Sequence, residues 1–524
     1  MMTMRADICR FALGAAVALA AFAANAWIGG VTTQKFIGHG WDTLQSSPEE
    51  ALAHAEEFDR TGLDGITVCL GGKTDGGTSY SFATIMTDAP WDFAALRPRL
   101  ETLRRFKEHP GLRESFLMFW LAPRKRIAWD DDRTWGNFAT NLGVLAKLGA
   151  AAGMKGYFVD GEDYPKTKQF TYDAAKDGGT FAAACKLARR RGAEVFGVLF
   201  REHPDATLLS FWFLSLGQVG YAPLRDPVAR MKQTGDLWPA FVNGILDVMP
   251  PTAVFVDGDE HAYNYDSTKK DFYTKSLNQR HTALGLVARK NRAKYASQLS
   301  VGFGLYLDLY KNPGDLARLE RNLVQAAEVS TEYVWIYGEQ HNWVGWNKLG
   351  DRTWEQAIPG LSEALVSIKD PQGFMKTKLA RLQSEGNAVN LIRDSLDGVS
   401  FWHEEGTRPE IVSNAVSWQV SMSAASILAG HSVLEGELYA ASVSCRGYAS
   451  DFKATVHWRR TGSFDWNKPE VPIFFGAADK SGWRSGRAAA RVPVDVDELV
   501  IQCDCHADKD KSVEVAGFSL VRIR

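Results

Sequence analysis

Two segments of this chain are near repeats: Tyr157-Phe158-Val159-Asp160-Gly161-Glu162-Asp163-Tyr164 and Val254-Phe255-Val256-Asp257-Gly258-Asp259-Glu260. In each, an apolar run with the look of a buried strand ends abruptly in clustered carboxylates. Acids crowded at the end of a buried strand work against stability, so the pattern marks strands that deliver acids to a site. It also constrains the fold, because a (β/α)8 barrel collects its chemistry at the C-terminal ends of its parallel strands.

Between residues 33 and 368 the chain alternates short β-branched or aromatic runs with helical periodicity, the pattern of parallel strands joined by helices. The runs predict eight strands: Lys35–Trp41, Gly65–Leu70, Phe116–Leu121, Gly156–Asp160, Glu194–Phe200, Ala253–Asp257, Ser300–Asp308 and Tyr333–Tyr337. Helix starts are legible too. Ser47-Pro48-Glu49-Glu50 combines an N-cap, a first-turn proline and a capping-box glutamate. Residues 369 to 387 read as a polar helical linker. From 388 to 524 apolar and polar residues alternate in runs separated by Gly, Asp and Ser turns, which predicts an all-β sandwich of jelly-roll-like character. Its opening, Asn390-Leu391-Ile392 followed by Ser400-Phe401-Trp402, resembles the start of carbohydrate-binding sandwich modules, and a purely structural accessory domain is the alternative.

At the N-terminus Arg5 and Arg10 precede the apolar run Phe11–Ala23 and the small-x-small triplet Ala24-Asn25-Ala26, which predicts a signal peptide cut after Ala26 and a secreted or periplasmic protein. That run is shorter than the ~20 residues a membrane-spanning helix requires, and no second stretch is long enough, so no span is expected in the mature chain. Past the signal the cysteines are Cys69, Cys185, Cys445, Cys503 and Cys505, an odd number without a C-x-x-C pair, which argues against a cysteine zinc site. Cys445 could bridge to Cys503 or Cys505, with free buried thiols the alternative. A net charge of -2 supplies no field that would recruit nucleic acid or anionic membrane. The chain has 17 Trp and 28 Phe, most of which are expected to fill the core, and flat aromatic faces among the rest suit a carbohydrate partner, whose rings stack on them.

Strand alternation puts Phe158, Asp160 and Glu162 on one face and, by superposition of the repeat, Phe255, Asp257 and Asp259 on another such face. Glu260 has the opposite parity, which a strand-to-loop transition can undo. Asp308 and Glu339 follow the seventh and eighth strands with Tyr306 and Tyr337. Crowded carboxylates at one mouth supply a protonated acid beside an ionised partner, the equipment of glycoside hydrolysis. The preferred general acid is Glu162, and Glu260 is the preferred partner, with Asp257 and Asp259 close behind. Asp160 belongs to the same cluster, and Glu339 serves electrostatics or sugar binding. Candidate binding residues are His39, Trp41, Trp120, Tyr164, His261, Tyr263, Tyr306, Asp308, His341 and Trp343.

Gly40-Trp41-Asp42, Phe158-x-Asp160-x-Glu162-x-Tyr164, Asp257-Gly258-x-Glu260-x-x-Tyr263 and Tyr333-Val334-Trp335-Ile336-Tyr337-x-Glu339 together resemble a group of secreted (β/α)8-barrel proteins assigned to glycoside hydrolysis. The resemblance spans the barrel and not the sandwich, and implies the same fold and the same site more than a particular substrate. Asp163 and Asp259 depart from the group's pattern by adding negative charge. Two other readings stand beside it: metal-assisted hydrolysis on Asp257, Asp259 and His261, and a non-catalytic glycan-binding protein. No nucleotide, flavin or zinc-protease motif occurs in a matching context, so no cofactor is expected. Gly302-Phe303-Gly304 lies within a strand and reads as a place of close packing.

Overall fold

Parallel strands covered on both faces need continuous apolar runs, and the computed structural model follows them closely. It describes residues 34–71, 80–87, 89–215, 227–346, 350–392, 399–403, 410–412, 415–420, 425–447, 452–505 and 511–524. The predicted signal peptide lies outside the described residues. The chain divides into two compact units, Gln34–Leu365 and Val366–Arg524.

Among its described residues the first unit has nine parallel strands: β1 (Lys35–Gly40), β2 (Gly65–Val68), β3 (Phe116–Trp120), β4 (Gly156–Asp160), β5 (Thr207–Ser210), β6 (Val254–Asp257), β7 (Leu299–Val301), β8 (Phe303–Tyr306) and β9 (Tyr333–Gly338). Their order is β7-β6-β5-β4-β3-β2-β1-β9-β8. Because β7 and β8 are consecutive pieces of chain separated only by Gly302, the two ends of the sheet meet and the strands form a parallel barrel. Strand seven of the sequence reading is therefore real but broken in the middle.

Strand five is a correction. Residues Glu194–Phe200, read as a strand, lie inside the helix Phe181–Glu202, whose N-cap Thr180 accepts from Ala183 N. Its buried positions Ala184, Ala188, Arg191, Gly192, Val195, Phe196 and Leu199 recur at helical spacing. The strand proper is the four-residue Thr207–Ser210, too short to stand out beside that longer apolar stretch.

The barrel interior is aromatic. Ile37, Phe116, Met118, Phe158, Leu209, Phe211, Val256, Tyr333 and Trp335 form one buried cluster. A Cβ on Gly304 would sit 2.3 Å from the Trp335 indole, so glycine is the residue that admits that ring, in keeping with the close-packing reading of this segment.

The second unit begins with the helix Pro371–Ser384, within the expected linker. It buries Met375 and Leu379 in one cluster with Leu438, Ala440, Ala489, Val521 and Ile523. Antiparallel strands follow: β10 (Val399–His403), β11 (Glu410–Val412), β12 (Ala415–Val420), β13 (Ala425–Ser432), β14 (Leu438–Gly447), β15 (Phe452–Arg460), β16 (Ser463–Phe464), β17 (Val471–Phe475), β18 (Arg484–Arg491), β19 (Glu498–Cys505) and β20 (Lys511–Arg522). They run in the order β10-β13-β19-β15-β17-β18-β14-β20-β12-β11, with β16 paired to β15. The path folds at β17 and β18, and residues of both arms, among them Val443, Val456, Trp458, Ile501 and Leu520, share one core. Cys445 and Cys503 are free buried thiols here, as are Cys69 and the half-buried Cys185 in the barrel unit.

Candidate active site

The C-terminal ends of the barrel strands surround a cavity of about 590 Å³, within the usual range for small-molecule sites. It is lined by the acids Asp160, Glu162, Glu260 and Glu339 and by the rings of His39, Trp41, Trp120, Tyr164, Tyr263 and Tyr306, together with Leu44, Phe82, Phe211 and Tyr337. These last four were not among the expected residues. Tyr337 shares the parity of Trp335 and Glu339 and was legible in principle. Phe211 has the inward parity of Leu209 but was hidden by the misplaced fifth strand. Phe82 stands on a short 3-10 turn with no sequence signature.

Strand parity decides which acids enter. On β4, Phe158 packs in the barrel interior, so Asp160 and then Glu162 follow it inward. On β6 it is Val256 that packs in the interior, whereas Phe255 stacks on Phe213 at 3.9 Å and meets Tyr295. The repeat therefore superposes two strands out of register by one residue. Asp257, paired with Asp160 by sequence, faces away from the cavity, and Glu260 shares the inward parity of Val256.

Asp257 is fully buried and fixes the loop after β5. It accepts from Phe213 N (3.0 Å), Leu214 N (2.7 Å), Ser215 N (2.9 Å) and Ser215 Oγ (2.5 Å). Asp259 is also buried; its Oδ2 accepts from Tyr265 OH at 2.9 Å, and burial followed by the charge of Asp257 raises its pKa to about 7. Neither carboxyl lines the cavity. Among the described residues no group of three His, Cys, Asp or Glu side chains is placed to hold a metal, and the carboxylate of Asp257 is committed to four donors. With its carboxylate so committed, Asp257 is not free to serve as the first ligand of an Asp257, Asp259 and His261 site.

Glu260 is set by a tight turn. A Cβ on Gly258 would lie 2.2 Å from Ser210 O and 2.6 Å from Trp335 Nε1, so only glycine lets β6 run this close to β5 and β9. Asp259 then takes φ 37°, in the left-handed region that L-residues populate sparingly. Glu260 N donates to Phe211 O at 3.0 Å, which fixes the reversed chain against the end of β5. Burial, then the charges of Glu162 and Asp259, raise the Glu260 pKa to about 7.

Glu162 is held differently. Its backbone N donates to Asp160 Oδ1 at 2.8 Å, the Trp120 indole donates to its carbonyl, and Tyr164 OH donates to its Oε2 at 2.7 Å. Burial raises its pKa, and the Tyr164 hydrogen bond opposes that by favouring the ionised form. Asp160, buried beneath it, is pushed well above the ordinary carboxylate range by burial and by the Glu162 charge.

Glu339 is positioned by Tyr337 OH, which donates to its Oε1 at 2.9 Å, and by Asp308 Oδ2, which accepts from its backbone N at 2.8 Å. Asp308 also pairs with Lys311 at 3.3 Å and acts as a support rather than as cavity lining. His39 stacks on Phe158 (4.9 Å, 16°) and Tyr337 (5.2 Å, 25°), and its Nδ1 lies 2.8 Å from Thr67 Oγ1. Burial lowers its pKa to about 3, so it is a neutral ring at the cavity floor. Tyr337 stacks on both Tyr263 (5.9 Å) and Tyr306 (5.4 Å), and those two rings make a tilted pair at 5.2 Å. Trp120 and Tyr164 make a tilted pair at 5.8 Å on the Glu162 side.

Besides Asp308, three expected binding residues stand apart. Trp343 is buried behind β1, with its indole 3.2 Å from where a Gly38 Cβ would be and its backbone N donating to Asp42 Oδ2. His341 packs edge-on against Trp354. His261, half-buried after β6, is absent from the cavity lining.

No protein-family model matches the chain, and no curated protein does. Solved structures align with the chain at low TM-score. A glucosidase from Croceicoccus marinus aligns over 92% of this chain and 98% of its own at 10% identity and a TM-score of 0.34. The CBM22-1 xylan-binding domain from Paenibacillus barcinonensis aligns over 26% of this chain and 92% of its own at 13% identity and TM-score 0.18. The enzymatically active domain of tailspike protein 4 of bacteriophage CBA120 aligns over 25% of this chain at 9% identity and TM-score 0.20, and the chain spans only 20% of that structure. Likenesses of this size leave the chemistry to the site itself.

Proposed function

We propose that this chain is an exported glycoside hydrolase of (β/α)8 type in which Glu260 is the general acid and Glu162 its ionised partner. One observation carries the reading: carboxyls from the ends of β4 and β6 meet in one aromatic-lined cavity, where burial and then the Glu162 charge raise the pKa of Glu260. Hydrolysis of a glycosidic bond needs one carboxyl that still holds its proton near neutral pH and one that does not. The two environments supply that difference, since Glu260 is held near 7 while Tyr164 OH stabilises the charge on Glu162.

This reverses the roles expected from the sequence, where Glu162 was the preferred acid. Glu260 donates its proton to the glycosidic oxygen as the C1–O bond breaks, and the leaving sugar departs as an alcohol. The Glu162 carboxylate stabilises the positive charge that develops at C1, and either attacks C1 or takes a proton from a water that does. The anomer released first distinguishes the two. The stacked tyrosines and the Trp120–Tyr164 pair offer flat faces to the sugar rings.

The test is a panel of neutral polysaccharides with detection of new reducing ends. Glu260→Gln and Glu162→Gln should each lower turnover at least ~10²-fold. An aryl glycoside whose leaving group needs no proton should rescue Glu260→Gln but not Glu162→Gln. Full activity of either variant on a natural glycan overturns the mechanism, and the opposite rescue returns the acid to Glu162.

A further inference from the structure

We propose that the outer face of the sheet formed by β15, β17 and β19 is a second glycan site, where an extended neutral polysaccharide lies across Trp466 and Phe474. The choice of ligand rests on the reading of the barrel as a glycan-cleaving site; the placement rests on the second unit alone.

The inner and outer faces of this sheet are fixed by alternation. Ala454, Val456 and Trp458 of β15 and Val471 and Ile473 of β17 are buried in the core. Thr455, His457 and Arg459, with Pro472 and Phe474, therefore share the opposite face. Two large rings stand open there: Trp466 is 68% exposed and Phe474 75%. Singly exposed rings are ordinary on a protein surface; what sets these apart is how they are held and what lies between them.

Trp466 is a built platform. Thr461 (φ 49°) and Gly462 (φ 79°) turn the chain from β15 into β16 and bring Phe464 opposite Arg459. The Arg459 guanidinium lies 4.4 Å from the Phe464 ring centre, Phe464 stacks on Trp466 at 5.0 Å and 23°, and both rings pack edge-on over the buried His457. The loop beneath is tied by Asp465 N to Trp458 O (3.0 Å), Asn467 N to Asp465 Oδ1 (3.1 Å) and the Trp458 indole to Pro469 O (2.8 Å). The ring is thus held in place before anything binds, which removes most of the ordering cost of binding.

The surface between the two rings is polar. Phe474 follows Ile473, the partner of Ala454, so it lies level with Lys453 and about 14 Å along β15 from His457 at ~3.4 Å per residue. Thr455 occupies the interval, with Gln502 its partner across β19, and Gln502 Nε2 donates to both carboxylate oxygens of Asp504. Isolated flat rings separated by hydroxyl, amide and carboxylate groups match a sugar chain, which presents apolar ring faces and a rim of hydroxyls. A protein partner would call for a continuous apolar centre instead.

Native affinity gels cast with a soluble β-glucan, a xylan or a galactomannan test this with the full chain carrying Glu260→Gln, so that the polymer survives the run. At least one polymer should retard the chain, and adding Trp466→Ala and Phe474→Ala should weaken its retention about tenfold or more. In the Glu260 background the same pair should leave turnover of a short oligosaccharide unchanged, which certifies the fold. Unaltered retention in the double variant overturns the proposal, and so does a chain that cleaves these polymers but is retarded by none. Self-association abolished by the double variant, without glycan retardation, also overturns it by making this face a contact between copies. Retention lost in the double variant while no polymer is cleaved upholds this site and refutes the barrel reading.

Discussion

Replacing Glu260 by Gln should abolish turnover and, above neutral pH, make the barrel more stable. The Glu260 carboxyl is raised from 4.5 to about 7 by burial and by the charges of Glu162 and Asp259. A folded-state pKa above the unfolded one means the native state prefers the protonated form. The penalty for holding the group ionised is therefore absent below about 4.5, grows through the interval, and is complete above about 7. The displacement corresponds to about 3 kcal/mol at most, and because the side chain is partly exposed, roughly 1–3 kcal/mol is the working range. Glutamine keeps the shape and cannot ionise, so that penalty disappears. Urea unfolding followed by tryptophan fluorescence at pH 5 and pH 8 should give a variant more stable by that amount at pH 8 and nearly level with the parent at pH 5. A gain independent of pH, or a loss at pH 8, would refute the assignment of the proton to Glu260.

Other outcomes follow from the same geometry. In the parent protein kcat/KM should fall as pH rises through about 7, where Glu260 loses its proton, and Glu162→Gln should move that limb to lower pH because a neighbouring negative charge is gone. Gly258→Ala forces a Cβ to within 2.2 Å of Ser210 O, so activity should drop at least ~10-fold with a loss of stability of about 1–3 kcal/mol; a fully active alanine variant would show that the turn is not what aims Glu260. Asp257→Asn leaves donors on Phe213, Leu214 and Ser215 poorly matched and should cost about 1–3 kcal/mol in urea unfolding while raising susceptibility to proteolysis near residue 215. Mass spectrometry of the exported chain should find Trp27 first; an intact Met1 in that fraction would remove the signal-peptide reading.

Much of the architecture is local and was legible. Apolar runs bounded by turn residues marked eight of the nine barrel strands described, the broken seventh run covering two of them, because a strand buried on both faces must be apolar throughout. The acids at the ends of β4, β6 and β9 were visible for the same reason: a carboxylate where a buried run stops needs either a site or a set of donors, and Asp257 turned out to have the donors. The fifth strand was not legible, since Val195, Phe196, Leu199 and Phe200 serve a helix packed on the barrel and are as apolar as any strand.

What the chain determines by itself, then, is the set of candidate acids and the alternation of side chains along each strand. Alternation assigns residues to two faces but does not say which face closes inward. Phe158 and Phe255 look equivalent in sequence, yet only the closed ring of strands puts one against Trp335 in the interior and the other against Phe213 outside it. That single difference of register turns Asp257 into a buried anchor for the loop after β5 and leaves Glu260, carried over the left-handed turn at Asp259, as the acid that reaches the cavity. The same closure decides protonation, because a carboxyl's pKa depends on which other charges share its desolvated space, and those neighbours come from strands far apart in sequence.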